Sequence, residues 1–394
     1  RFAPLRPRRF PIFPRTKVHY IRSMPTPLQD SLPRTAAIIE QGLAAGLHIG
    51  AQIFVSLQGK EIVNAGIGES RPGVPMSSDT IMLWMSATKP LGAVALAQLW
   101  EQGRVDLDDR IEKFVPEFGV NGKAPITIRH ALTHTGGFRV EARWSADPWD
   151  QIIARICAAK LEHGWVPGEK AGYHPASSWF MLAEIIRRLD GRAFETYVDE
   201  EIFRPLGMND SWLAIPPERY RAYGERIGIL HNTERTPQFP QLFDSEERCA
   251  VCRPGGSGHG PVRELGRFYE MLLARGTFGG KKVLSPQTVE ALTARHRVDL
   301  HDHTFNHKMD WGLGFVIDSN HYGKETAPYG YGRHCSPRTF GHGGYQSSSA
   351  FADPERGLVV AWVFNGTPGE DKHDVRCRDV NSAIYEDLSL VGGE

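Results

Sequence analysis

Ser86 and Lys89 stand three residues apart in the stretch MLWMSATKPLGAVAL, residues 82–96. On a helix that spacing puts both side chains on one face. A serine hydroxyl is a poor nucleophile until a neighbour takes its proton, and a lysine can do so once burial favours its neutral form. A helix N-terminus at this point would favour developing negative charge, and Pro90 is compatible with one because first-turn amides have no intrahelical acceptor. Taken alone, the pair is better read as a helix cap beside a solvated lysine, since Ser-x-x-Lys is expected about once by chance in a chain this long.

Other residues offer rival chemistry. His301, His303 and His307 cluster in HDHTFNH, but HALTH over 130–134 has Ala131 where a zinc protease carries its glutamate. Cys249-x-x-Cys252 with His259 nearby lacks the second pair that a structural zinc site needs. Neither stretch is read as a metal site, and no cofactor is expected. The Gly-x-Ser-x-Gly elbow of α/β-hydrolases is absent from the chain.

The elements that would position Ser86 and Lys89 follow from hydrophobic periodicity. Residues 31–46 read as a helix, and 50–68 as two apolar strands joined at Gln58-Gly59-Lys60. Residues 91–103 read as a helix with Leu91, Val94, Ala95 and Leu99 on one side and Gly103 as its stop. The middle of the chain is mostly helical with long loops, clearest at 177–191 and 262–276. Strands return at 311–318, 347–353 and 357–365, before a terminal helix over about 374–388. Strands at both ends and helices between them predict an α/β domain formed by 24–103 and 301–394 around an antiparallel sheet. A helical domain over 104–300 is expected as an insertion, with the ligand cleft between the two.

Composition narrows the partners. The 394 residues carry 46 basic and 46 acidic side chains, so nothing points to nucleic acid or an anionic membrane. No apolar run is long enough to span a bilayer. Residues 1–23 carry seven basic residues and no acidic one, without the apolar core of a secretory signal. They read as a disordered arm, or as sequence upstream of a start at Met24. Five dispersed cysteines do not make a disulfide framework, and reduced thiols in a cytoplasmic setting are the simpler expectation.

Longer stretches give the Ser-Lys pair a context. MSATKPLGAVALAQLWEQGRVDLDDRIEKFVPEF, ITIRHALTHTGGF, WVPGEKAGYHPASSWFMLAEII, RPGGSGHGPVRELGRFYEMLLARG and FGHGGYQSSSAFADPERGLVVAWVFN follow one another in order. Together they resemble the serine β-lactamase and penicillin-recognising superfamily over roughly residues 30–385, closest to class C β-lactamases and family VIII carboxylesterases. The resemblance implies the β-lactamase/transpeptidase-like fold, an antiparallel sheet flanked by helices with an inserted all-helical domain. It implies Ser86 as the acylated nucleophile, Lys89 as the first-motif lysine and Tyr173 as the second-motif tyrosine that shares the proton. It also implies an oxyanion hole from the backbone amides of Ser86 and Tyr345, and a substrate-lining third motif at His342, Gly343 and Gly344.

Two departures from that pattern favour an ester over a β-lactam. The tyrosine motif usually carries an asparagine two residues on, which contacts an acylamino group; here Pro175 stands there, with Ser177 as a possible substitute. The third-motif lysine is replaced by His342, which is mostly neutral near pH 7. The expected activity is cleavage of small carboxylic esters through a Ser86 acyl-enzyme, with Lys89 and Tyr173 as general base and acid; an alcohol acceptor could replace water. The alternatives are β-lactamase or D-alanyl peptidase activity, or a non-catalytic binding protein on the same fold. Loops 139–150 and 218–250 are expected to shape the substrate pocket through Trp144, Trp149, Tyr220, Tyr223, Phe239 and Phe243. Oligomeric state is left open.

Overall fold

The computed structural model describes residues 27–391 apart from 141 and 143–146. The basic arm over 1–23, and Trp144, lie outside the described residues.

Strands β1 (Gly50–Leu57) and β2 (Lys60–Arg71) form the expected hairpin. Its turn residues Gln58 and Gly59 both take positive φ, 52° and 74°, the geometry that matches the twist of a tight hairpin. With β3 (Val74–Pro75), β4 (Val316–Ile317), β5 (Phe340–Gly344), β6 (Ser348–Asp353) and β7 (Leu358–Phe364) they make a seven-stranded antiparallel sheet. Its order is β4-β5-β6-β7-β1-β2-β3, so the two ends of the chain meet where β1 pairs with β7, Ile53 opposite Trp362. The run expected over 311–318 contributes only Val316–Ile317. Gly312 N–H instead donates to Phe315 O, and Gly314 sits at φ +82°, which turns the chain back before a longer strand can form.

Central strands read as unbroken apolar runs because both faces of the sheet are covered. Helices α1 (Pro33–Ala44), α2 (Lys89–Glu101), α3 (Ser177–Asp190), α4 (Val262–Leu273) and α5 (Glu370–Asp387) do most of the covering. Ile53, Val55, Val360, Trp362 and Phe364 pack with Ile39 of α1 and Val380 and Ile384 of α5. The alternate residues Phe54, Val359, Ala361 and Val363 face the other way, into the core that holds Leu265, Phe268 and Leu272 of α4. That same core continues into the helical region, where α2 packs against α3. Residues 89–97 and 99 of α2 are all buried, so this helix is enclosed rather than one-sided. No helix among the described residues is long and apolar enough to cross a membrane.

Candidate active site

Ser86 lies in a 3-10 turn, Met85–Thr88, that runs directly into α2. The turn is pinned from several sides. Trp84 N–H donates to Gly258 O (2.7 Å), its indole N–H donates to Gly260 O (3.0 Å), and its carbonyl accepts from Ser348 Oγ (2.6 Å). Thr88 Oγ1 donates to Met85 O (2.6 Å) and accepts from Gly258 N–H (2.9 Å). Met85 takes φ +51°, a left-handed conformation that costs a side-chain-bearing residue energy and that this cage of bonds holds in place.

Lys89, the first residue of α2, is fully buried. Its Nζ donates to Ser86 Oγ (2.9 Å), Pro175 O (3.0 Å) and Gly255 O (2.6 Å). A Cβ on Gly255 would stand 3.2 Å from that nitrogen and 3.0 Å from Pro175 O, so glycine is what lets the carbonyl come so close. The ammonium nitrogen lies 5.1 Å from the centre of the Tyr173 ring, which brings the predicted serine, lysine and tyrosine into one cluster.

Tyr173 is held by residues that motif reasoning did not single out. Its N–H donates to Asp302 Oδ1 (3.1 Å), and its carbonyl accepts from Thr304 Oγ1 (3.1 Å). Asp302 is fully buried, also accepts from the amides of Thr304 and Phe305, and pairs at 3.1 Å with the buried Arg297. Burial pushes the Arg297 guanidinium down to about 10, and it lies 5.0 Å from the Trp311 ring while bonding Thr133 O and Met309 O. Breaking such a pair from one side costs about 3–5 kcal/mol, so this ion pair anchors the Tyr173 backbone firmly. The sequence signal was present, since Asp302 sits inside HDHTFNH, between the two histidines that drew a metal reading. The flanking His301 and His303 rings lie 5.4 Å apart, His303 lies near Trp165, and His307 bonds Thr326. Cys249 Sγ lies 3.4 Å from His259 Nε2, with burial raising the thiol and pushing the imidazole down to about 4.

Strand β5 brings His342, Gly343 and Gly344 against the nucleophile turn. A Cβ on Gly344 would stand 2.4 Å from Trp84 O and 2.9 Å from Met85 Cβ, so no other residue fits there. His342 is buried; desolvation first and the Lys89 charge second push it down to about 3, leaving a neutral imidazole at pH 7. Its Nδ1 lies 2.6 Å from Gly343 O. Tyr345 follows at the mouth, 39% exposed.

Ser86, Tyr173, His342, Gly343 and Tyr345 line one cavity of about 360 Å³. Phe180, Phe305, Met309 and Tyr329 supply its apolar wall, and Arg253, Glu370, Asp371 and Asp374 also reach it. The described aromatics expected from the loops do not line it. Trp149 donates to Glu184 and stacks on Phe180, Tyr220 and Tyr223 bond Asp244 O and Asp210, Phe239 is exposed, and Phe243 lines a small neighbouring pocket. Ser177 is no substitute for the missing asparagine: it is buried, donates to Phe138 O (2.7 Å) and is absent from the cavity wall.

A serine bonded to a buried lysine beneath a glycine strand, on a mixed helix and antiparallel-sheet frame, fits a serine hydrolase of the β-lactamase/transpeptidase-like fold. The beta-lactamase family model matches residues 35–383, and the chain belongs to that family. It is 26% identical over 348 residues to the esterase/beta-lactamase LipL of Mycobacterium tuberculosis (strain ATCC 25618 / H37Rv), covering 80% of this chain and 77% of the relative. It is 25% identical to esterase EstB of Burkholderia gladioli, covering 84% and 90%. A penicillin-binding protein homologue from Caulobacter crescentus superposes with a TM-score of 0.76 at 28% identity, covering 91% of this chain and 98% of the other.

Proposed function

We propose that the protein is a serine carboxylesterase working through a Ser86 acyl-enzyme. The observation that carries this reading is the set of oxygens around Lys89 Nζ: two backbone carbonyls and the Ser86 hydroxyl. A neutral lysine amine has two N–H bonds and one lone pair. The two hydrogens suit Pro175 O and Gly255 O, and the lone pair then accepts the Ser86 proton.

In the first step Ser86 Oγ bonds to the ester carbonyl carbon as its proton passes to Lys89. The tetrahedral oxyanion is received by the backbone amides of Ser86 and Tyr345. The intermediate collapses by breaking the carbon–oxygen bond to the alcohol, which takes its proton from Tyr173, itself reprotonated by Lys89. Water repeats the sequence on the acyl-enzyme, giving the acid and free Ser86. Preference for esters over β-lactams is supported by Pro175, which offers no side-chain amide, by Ser177, which is already bonded, and by His342, which is neutral where a carboxylate would need a cation. The name of esterase EstB agrees with this direction, while that of LipL gives both activities.

The test is turnover of a short-to-long p-nitrophenyl ester series beside a chromogenic cephalosporin. The expected result is ester hydrolysis that falls by about 10⁴-fold or more in Ser86→Ala, with little cephalosporin cleavage. Rapid cephalosporin cleavage would overturn the preference. Absence of both activities in folded protein would overturn the enzyme reading.

A further inference from the structure

The two ends of the cavity differ in charge. Among the described residues three carboxylates line it, Glu370, Asp371 and Asp374, all from the start of α5, against one guanidinium, Arg253. Arg253 is already donating to Arg248 O (3.0 Å). On α5 itself Arg376 is buried and spent on Gln346 O and Gly366 O, while Lys372 is exposed and does not line the cavity. The amide dipole at the start of α5 offsets part of the negative field but supplies no side-chain cation.

A second, independent feature asks for a donor. His342 Nδ1 faces the carbonyl of Gly343, which can only accept, so Nδ1 carries the imidazole proton and Nε2 presents a lone pair. That Nε2 is buried and has no hydrogen-bond partner among the described residues, and the side chain lines the cavity. Between His342 and α5 the wall is aromatic. Tyr173 packs on Phe305 (5.0 Å between ring centres), Phe305 on Tyr329 (5.9 Å), and Tyr329 Oη donates to Glu370 Oε2 (2.7 Å). This row leads from the proposed proton donor for the departing alcohol to the carboxylates, so it follows the leaving group.

We propose that the cavity, which the unpartnered His342 Nε2 also lines, takes esters whose leaving group carries an ammonium, held by the carboxylates of α5 and the Tyr329 and Phe305 faces. The inference rests on the esterase reading and adds the substrate class. Aromatic faces and carboxylates together suit a weakly hydrated cation, whereas a carboxylate-bearing leaving group meets like charge.

Three thioesters of one acyl group test it: butyrylthiocholine, its uncharged isostere S-(3,3-dimethylbutyl) thiobutyrate, and anionic S-butyryl-3-mercaptopropionate, each read by thiol release. The expected kcat/KM is about tenfold higher for the cation than for the isostere, and lower again for the anion. Asp371 is exposed, and Asp371→Asn should reduce the cation-to-isostere ratio about threefold, with Asp371→Lys abolishing the preference. A wild-type ratio at or below one, or a ratio unmoved by Asp371→Lys, overturns the proposal. Failure of the esterase reading shows separately, as the absence of a butyryl adduct on Ser86 by mass spectrometry. In that event calorimetric binding to Ser86→Ala decides: tighter binding of the choline thioester than of its isostere supports the charge preference, and equal binding overturns it.

Discussion

Lys89 and Lys123 are both fully buried, and each Nζ has three oxygens within hydrogen-bond distance. Those of Lys123 are the carbonyls of Val120 (3.1 Å), Cys157 (2.9 Å) and Ala159, beside the Phe118 ring. Those of Lys89 are two carbonyls and the Ser86 hydroxyl. Burial holds Lys123 below the ordinary lysine range, yet a carbonyl has no proton to surrender, so that amine can only tie loops together. Exchanging one carbonyl for one hydroxyl gives the arrangement that the proposed mechanism needs, an amine facing a hydroxyl that has a proton to give. On that reading burial alone does not mark a reactive lysine; the kind of oxygen in its third position does.

Replacing each lysine by methionine is the strongest way to break this contrast. Lys89→Met is expected to lower kcat for ester hydrolysis by about 10³-fold or more, measured under saturating substrate. Next in size, Tyr173→Phe should cost about 10²-fold in kcat with little change in KM, the mark of a group needed for proton return. Asp302→Asn sharpens the picture from behind. It leaves Arg297 buried without its counter-charge, so a lower thermal midpoint and about a tenfold loss in kcat are expected, the latter through a loosened Tyr173. Lys123→Met should lower stability by about 2–3 kcal/mol in denaturant titration, because three carbonyls lose their donor, while kcat stays within about twofold. An activity loss in Lys123→Met as large as that in Lys89→Met would erase the distinction.

The smallest effect concerns pH. His342 lies near Lys89 with its folded pKa pushed down to about 3. Above pH 3 it is neutral in the folded protein, so it contributes no change of charge between pH 5 and 8. The shape of the pH profile of kcat/KM over that range should be the same in His342→Gln as in wild type. Loss of an inflection in the variant would show that His342 titrates there. In stability the sign is opposite to that of a paired histidine. The unfolded imidazole gains its proton below about 6.5 and the folded one refuses it down to about 3, so stability falls as pH drops through that window.

The parts of the molecule legible in sequence were those written in side chains. Apolar runs at 50–57 and 358–364 announced the central strands because both faces of the sheet are buried. Ser86 and Lys89 were legible as types at helical spacing, and Tyr173 and the glycines of β5 only through the family resemblance. The acceptors that define Lys89 were not, since Pro175 and Gly255 act through carbonyls that every residue owns. Asp302 was overlooked although it stood inside the singled-out HDHTFNH run, because its role is to hold a backbone amide 129 positions away and no residue type marks such a role. The pocket aromatics were misplaced for a related reason. A tryptophan such as Trp149 looks the same in sequence whether it faces a substrate or, as here, Glu184 and Phe180.

Gly344 and Gly255 have a consequence for how this protein can change. At Gly344 the Trp84 backbone fills the space that a side chain would need, and at Gly255 a side chain would press on Pro175 O and Lys89 Nζ, so changes at the first should abolish the site and changes at the second disturb it. The start of α5 has no such crowding: Glu370 and Asp371 are exposed and replaceable. A saturation library over the cavity should therefore separate into two populations, dead variants clustered at the glycines and altered-specificity variants clustered on α5. New substrates would be reached by drift along that helix, with the nucleophile's surroundings carried through unchanged.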